Sequence, residues 1–443
     1  MGSAARQPLF SFGVIADVQY ADISDGRSFL GVPRYYRNSI LVLQRAVETW
    51  NQHGNLKFVI NMGDIVDGFC PKDQSLAATK KLVHEFEKFN GPVYHMIGNH
   101  CLYNLPREEL LPLLKIPGRD GNAYYDFSPT PEYRVVVLDG YDISAVGWPQ
   151  EHPNTIAALK ILEEKNPNTD KNSPAGLEDV ARRFVKYNGG VGEKQLQWLD
   201  SVLQDASNSN QRVIVCGHVP MSPGVASKAA LLWNFDEVMN IIHKYDSVKV
   251  CLSGHDHKGG YFVDSHGVHH RSLEAALECP PVLEAGKDMV TITWKLKSSS
   301  AKVDTDTAFK TIQVKLCYAP ISQVDRPWRK TDNKLFKDRS CPHEIVSKAY
   351  DKTPQSLDWT IGLDIPTGTY FVRAYGIDGD GHEVAYGQST DEGRTTNLFS
   401  VHAISGHHVG LDIASTFFSV FSVVSLFVFF VMEKRKAKLE QRE

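Results

Sequence analysis

The chain has 443 residues, enough for two or more domains. Hydrophobic residues make up 42% and charged residues 23%, the balance of a folded protein, which excludes a chain disordered throughout. A net charge of −4 gives no basic footprint, so no nucleic-acid partner is expected.

The N-terminal stretch MGSAARQPLFSFGVIADVQ has no apolar core with a basic flank and a cleavage site, so it is not read as a secretory signal. Arg6 stands where a myristoylation pattern asks for Ser or Thr. From residue 8 to 281 the chain alternates two textures. FSFGVIA, KFVINM, PVYHMI, YRVVVLDG, RVIVCG and VKVCLSG are short apolar runs, each running out at a Gly, Asp or Asn. Helical patterns lie between them at 39–52, 75–89, 193–206 and 234–245. This predicts an α/β domain with functional loops at strand C-termini. The polar stretch 163–176 reads as a surface loop, and 259–275 as a hairpin turning at Asp264-Ser265-His266-Gly267.

After Pro280-Pro281 the helical signals fade. MVTITWKL alternates with Val290, Ile292, Trp294 and Leu296 on one face. TIQVKLCY, TYFVRAYGI, HEVAYGQS and NLFSVHAI continue the strand pattern, predicting a small all-β sandwich-like domain over 282–408. Residues 413–432 carry no charge and are rich in Phe and Val, and a basic tail follows over 433–443. A hydrocarbon core of about 30 Å needs about 20 such residues, so a membrane-spanning helix with a cytosolic C-terminus is expected. Of seven cysteines, Cys70, Cys101, Cys216, Cys251 and Cys279 precede residue 282. Cys216 and Cys251 lie in apolar runs and read as buried thiols. Cys317 and Cys341 stand apart and either pair or remain free.

Five segments end an apolar run with metal-type residues: GVIADVQYAD, VINMGDIVD, MIGNH, VIVCGHVP and VCLSGHDH. They supply Asp17, Gln19, Asp64, Asn99, His218, His255 and His257. Two divalent ions sharing one bridging carboxylate need such a set, and Asp64 is the candidate bridge. Carboxylate, amide and imidazole without thiolate favour Mn²⁺, Zn²⁺ or Fe. Two such ions grip a phosphoryl group and generate hydroxide between them. His100, beside Asn99, is placed to protonate the leaving oxygen or to stabilise the charge developing there. Taken singly, each residue has a plain reading as a surface histidine or a helix cap. Their joint occurrence in order is what points to hydrolysis of a phosphate ester or anhydride. His53, His95, His243, His266, His269 and His270 are expected to be exposed or satisfied within the fold.

These five motifs resemble those of the calcineurin-like metallophosphoesterases. Gln19 in DVQYAD, and the context RYYRNSILVLQRAVETW, look most like the manganese-dependent ADP-ribose/CDP-alcohol diphosphatases. The resemblance covers about residues 8–281. It implies a four-layer α/β sandwich and cleavage of pyrophosphate linkages in nucleotide diphosphate conjugates. The seven ligands and His100 carry over position by position. Two departures stand out. Cys101 occupies the place of an acidic residue that can orient His100. The enzyme-like sequence stops near EAALECPP (274–281), short of strands that close one sheet in the family, so an open edge is expected unless the appended module covers it.

From Val282, the stretches VLEAGKDMVTITWKL, FKTIQVKLCYAPISQVDRPWRKT, GTYFVRAYGIDGDGHEVAYGQSTD and TTNLFSVHAISG are similar to plant high-affinity nitrate transporter accessory proteins. That resemblance implies a non-enzymatic extracytoplasmic β-domain serving a nitrate transporter at the plasma membrane. Asp325, Arg326, Trp328, Arg329 and Lys330 are its candidate partner contact. The halves disagree on topology: without a signal the β-domain would stay cytosolic on a tail anchor, whereas a Cys317–Cys341 bridge suits the outside. An inactive first half serving a transport accessory, or a fused gene model of two neighbouring proteins, is the alternative to an anchored hydrolase.

Overall fold

The computed structural model describes residues 10–28, 31–118, 120–279, 282–295, 309–332, 335–404 and 409–440. It divides into two units, Met1–Pro281 with Thr390–Leu398, and Val282–Ser389 with Phe399–Glu443.

In the first unit the six apolar runs become strands. Ser11–Ile15, Leu56–Asn61 and Val93–His95 form a parallel three-stranded sheet. A six-stranded sheet has the order Lys258–Val263, His269–Glu274, Val248–Ser253, Arg212–Gly217, Tyr133–Leu138, Tyr125–Thr130. Its central pairs are parallel and its edges antiparallel. Buried residues of both sheets, among them Phe58, Ile60, Val136 and Val215, belong to one apolar core. Aromatic rings cross between the sheets: Phe127 stacks on Tyr94 at 3.5 Å and meets Phe58 edge-on at 5.2 Å. The expected helices appear as Ser39–His53, Ser75–Phe86, Glu193–Asn208 and Phe235–Ile242. The hairpin turns where expected, with Gly267 N–H donating to Asp264 O. Ser11–Ile15 pairs only with Leu56–Asn61, and among the described residues no strand takes its outer edge.

Several elements depart from the sequence reading. Tyr125–Thr130, and the helices Asn99–Asn104, Arg107–Leu113 and Pro153–Lys165, were not foreseen. The polar stretch 163–176 is less superficial than its composition suggests. Asn166 is fully buried, and its side-chain amide donates to Phe184 O at 2.8 Å and Ser173 O at 3.2 Å, tying the loop from within.

His95 ends its strand in the core, 6% exposed, with Asn61 Nδ2 3.1 Å from its Nδ1. Burial disfavours the imidazolium and lowers its pKa from 6.5 to about 4. The unfolded chain therefore takes up this proton first. Stability from this group is full above pH 6.5 and is lost as the pH falls toward 4, by up to about 3 kcal/mol. The unfolding midpoint measured across that range is expected to fall, and the slope to flatten in His95→Gln.

In the second unit the strands Val282–Glu284, Phe399–His402, Gly368–Ile377, Thr311–Tyr318 and His343–Ala349 lie side by side, with Glu383–Gln388 also on Gly368–Ile377. Met289–Trp294 and Gln355–Thr360 make a separate antiparallel pair. Ile292 is buried in this unit's core, with Val290 and Trp294 packed against it; Leu296 lies outside the described residues. Cys317 and Cys341 form a disulfide. Trp328 is 62% exposed, whereas Arg329 lies 3.9 Å over the ring of Tyr318. The helix Val409–Glu440 contains a 23-residue stretch, Ile413–Arg435, long and apolar enough to cross a membrane.

Candidate metal centre

The loops that follow the strands carry the seven residues to one place. Asp17 and Gln19 follow Ser11–Ile15, Asp64 follows Leu56–Asn61, and Asn99 opens the helix after Val93–His95. His218 follows Arg212–Gly217, while His255 and His257 follow Val248–Ser253. Five of the seven hold left-handed backbone: Asp17 (φ 53°), Gln19 (42°), Asp64 (53°), His255 (67°) and His257 (57°). Such conformations are costly for residues with a Cβ and cluster where function requires them.

Two groups meet at Asp64. In one, His257 Nε2 lies 3.4 Å from Asp17 Oδ1 and 3.0 Å from Gln19 Nε2, and Gln19 Nε2 lies 3.4 Å from Asp64 Oδ2. In the other, His218 Nε2 lies 3.2 Å from Asp64 Oδ2, and the donors of Asp64, His218 and His255 fall within 4.8 Å of one another. Asn99 joins through Tyr141, whose hydroxyl donates to Asn99 Oδ1 at 3.0 Å and whose ring lies 6.1 Å from that of His218. Tyr141 is in turn held by buried Arg107, which pairs with Asp139 at 2.6 Å and donates to Tyr141 O at 2.6 Å.

Each histidine is fixed by its other nitrogen. His218 Nδ1 lies 2.7 Å from Met62 O, His255 Nε2 2.7 Å from Asn188 Oδ1, and His257 Nδ1 2.9 Å from Glu278 Oε1. Such outer partners select the tautomer and aim the free nitrogen, as in metal sites generally. Asn188 and Glu278 were not foreseen. They come from segments far from the motifs, and nothing local in the sequence marks them.

The residues fit a pair of cations. His218 Nε2 and Gln19 Oε1 are buried and lack a hydrogen-bond partner. Turning the Gln19 amide by 180° brings that oxygen to where Nε2 faces Asp17, Asp64 and His257. The field asks for positive charge. Burial raises the Asp64 and Asp17 carboxyls, but His218 and His100 at Asp64, and His257 and His218 at Asp17, outweigh it and hold both below the ordinary range. Burial lowers His218 and His257, but Asp64 at the first, and Asp17 with Glu278 at the second, raise both to about 9. Burial, with the charge of His218, lowers His255 to about 3. Divalent cations would answer the same carboxylate field that raises His218 and His257.

His100 lies at the rim, its side chain 18% exposed. Its N–H donates to Asp64 Oδ1 at 2.8 Å. Cys101 does not orient it: that thiol is 2% exposed, and burial raises it to about 12. Gly68 N–H donates to His100 Nδ1 at 2.8 Å instead, and Asp67 Oδ2 lies 3.3 Å from the same nitrogen. The ring is therefore held by a backbone N–H and not by an acidic neighbour, and Asp67 Oδ2 is buried without a hydrogen-bond partner. Phe69, next in the chain after Gly68, is 69% exposed.

Residues 10–259 match the family model "Calcineurin-like phosphoesterase", and residues 267–406 match "High-affinity nitrate transporter accessory, Ig-like domain". A manganese-dependent ADP-ribose/CDP-alcohol diphosphatase of Oryza sativa subsp. japonica is 65% identical over 310 residues, 70% of this chain and 97% of that protein. High-affinity nitrate transporter 3.1 of Arabidopsis thaliana is 68% identical over 160 residues, 36% of this chain and 75% of that protein. A dimetal phosphatase from Danio rerio superposes with a TM-score of 0.60 at 39% identity, covering 62% of this chain and 90% of the other. The chain belongs to the calcineurin-like phosphoesterases, and it carries a C-terminal Ig-like domain of the high-affinity nitrate transporter accessory family.

Proposed function

We propose that the first unit hydrolyses the pyrophosphate linkage of nucleotide diphosphate conjugates, ADP-ribose to AMP and ribose 5-phosphate, and CDP-alcohols to CMP and a phosphoalcohol. Asp17, Gln19 and His257 would hold one divalent ion and Asn99, His218 and His255 the other, with Asp64 shared between the two sets. The convergence of both groups on Asp64 carries this reading, and the rice relative's name supports Mn²⁺ and the substrates. Bound there, the two ions supply Lewis acidity and an acidified water. The chain's own part is to fix the donors through Met62 O, Asn188 and Glu278, and to present His100 to the leaving oxygen. With Nδ1 accepting from Gly68, the neutral His100 carries its proton on Nε2. His100→Gln is expected to lower kcat by about 10²–10⁴-fold while metal content stays unchanged.

Phe69 gives a nucleobase an exposed aromatic face one residue from the loop that holds His100. Phe69→Ala is expected to raise KM for ADP-ribose by about 5- to 30-fold, as loss of about 1–2 kcal/mol of stacking would, with little change in kcat. Release of AMP and CMP from ADP-ribose and CDP-choline by the full chain in Mn²⁺ tests the hydrolase reading. No release with either substrate would favour an inactive first half.

A second reading applies to the second unit, and likeness to the Arabidopsis protein favours it. The Ig-like domain associates with a nitrate transporter, and Ile413–Arg435 is a single-pass anchor, at the plasma membrane if this domain sets location. We assign residues 1–281, 282–408, 413–432 and 433–443 as phosphoesterase, accessory domain, span and tail. Co-purification of a nitrate transporter with the full chain, lost when 282–408 is deleted, is the expected result; a transporter retained without that segment would contradict it.

A further inference from the structure

At the tip of the hairpin, away from the residues gathered around Asp64, three histidines surround one carboxylate. Asp264 Oδ1 accepts the N–H groups of His266 and Val268, both at 2.9 Å, which is all the turn requires. Its other oxygen lies 2.9 Å from His243 Nε2 and 3.0 Å from His270 Nε2. His243, at the end of the helix Phe235–Ile242, stacks on His266 of the turn with ring centroids 3.7 Å apart. Ligand atoms of His243, Asp264 and His266 all fall within 4.8 Å of one another. We propose that His243, Asp264 and His266 form a further divalent-cation site, for Zn²⁺ or a similar borderline ion.

The donor set supports this, and the spacing does so once the exposed His266 ring turns out of its stack on His243, since stacked parallel imidazoles cannot both aim a nitrogen at one ion. Two imidazoles and one carboxylate suit Zn²⁺, Co²⁺ or Ni²⁺ better than Mn²⁺ or Mg²⁺, which favour oxygen. Ligands at about 2.0–2.1 Å from a tetrahedral zinc stand about 3.3 Å apart, within a few tenths of an ångström of the Asp264–His243 separation. His270, 1% exposed and with its pKa lowered by burial, is the outer partner, its Nε2 3.0 Å from the carboxylate it steadies. His266 is exposed, which leaves the ion open to water as its fourth ligand. A zinc here would clamp the hairpin to the preceding helix. The first strand of that hairpin starts at Lys258, directly after His257.

The test uses the full chain, preloaded with Mn²⁺, and titrates Zn²⁺ against a chromophoric chelator. Wild type is compared with His266→Ala and with the double variant His243→Gln/His266→Ala. His266 is an exposed turn residue, so its truncation leaves the fold intact. The wild type is expected to take up one more equivalent of Zn²⁺ than either variant at micromolar free zinc, with Mn²⁺-dependent hydrolysis the same in all three. Equal zinc uptake by all three, or a difference seen only at millimolar zinc, would overturn the proposal. The readout counts ions, so it stands apart from whether the first unit hydrolyses any substrate.

Discussion

Replacing Asp64 with asparagine is expected to lower Mn²⁺-dependent hydrolysis at least about 10³-fold, on the order of 4 kcal/mol of transition-state stabilisation. The change keeps the side chain's shape. Oδ1 still accepts from His100 N–H at 2.8 Å and Cys101 N–H at 3.4 Å, so the loop has no reason to move. What is lost is the charge between the two groups of donors. The oxygen that faces His218 at 3.2 Å becomes an amide, which cannot join two cations. Metal content measured on the purified variant is expected to fall with the rate. An unchanged rate with unchanged metal would remove Asp64 from the centre.

A second large effect is expected at Gly98, where no charge changes at all. Its backbone is ordinary extended chain (φ −126°, ψ 176°), so glycine is not there for conformational freedom. A Cβ at this position would run into Asp64 Oδ1 and stand 2.8 Å from His218 Cε1. Both atoms are buried and fixed, so neither can yield cheaply. Gly98→Ala is expected to displace the Asp64 carboxylate, cut hydrolysis at least about 10²-fold and cost about 1–3 kcal/mol of stability. Gly387→Ala is the control, since nothing lies within 4 Å of a Cβ built there. Rate, metal content and unfolding midpoint check both. A Gly98→Ala chain with wild-type rate would show that the carboxylate has room that the geometry denies it.

Much of the first unit could be read from the sequence because its strands are buried on both faces and appear as unbroken apolar runs. Tyr125–Thr130 escaped because YDFSPT mixes Asp, Ser and Pro on a sheet edge, where the backbone pairs on one side only. Pro153–Lys165 escaped because it buries only Thr155, Ala158 and Leu162 and exposes Ile156 and Leu159, so its apolar positions mark no single face. At the centre, the motif residues announced themselves by type and by position at strand ends. The partners that aim them did not, since Glu278, Asn188 and Met62 O are selected by tertiary packing. Asp67 was within reach of sequence reasoning: it lies in GDIVD, three residues after the proposed bridge, yet only the folded chain brings it to His100.

The most direct test of the two-ion centre is anomalous diffraction at the manganese edge from crystals of the full chain grown in Mn²⁺. Two peaks are expected, one beside Asp17, Gln19 and His257, the other beside Asn99, His218 and His255, each within ligand distance of an Asp64 oxygen. A single peak, or peaks that leave Asp64 untouched, would contradict a bridged pair of ions as the basis of hydrolysis.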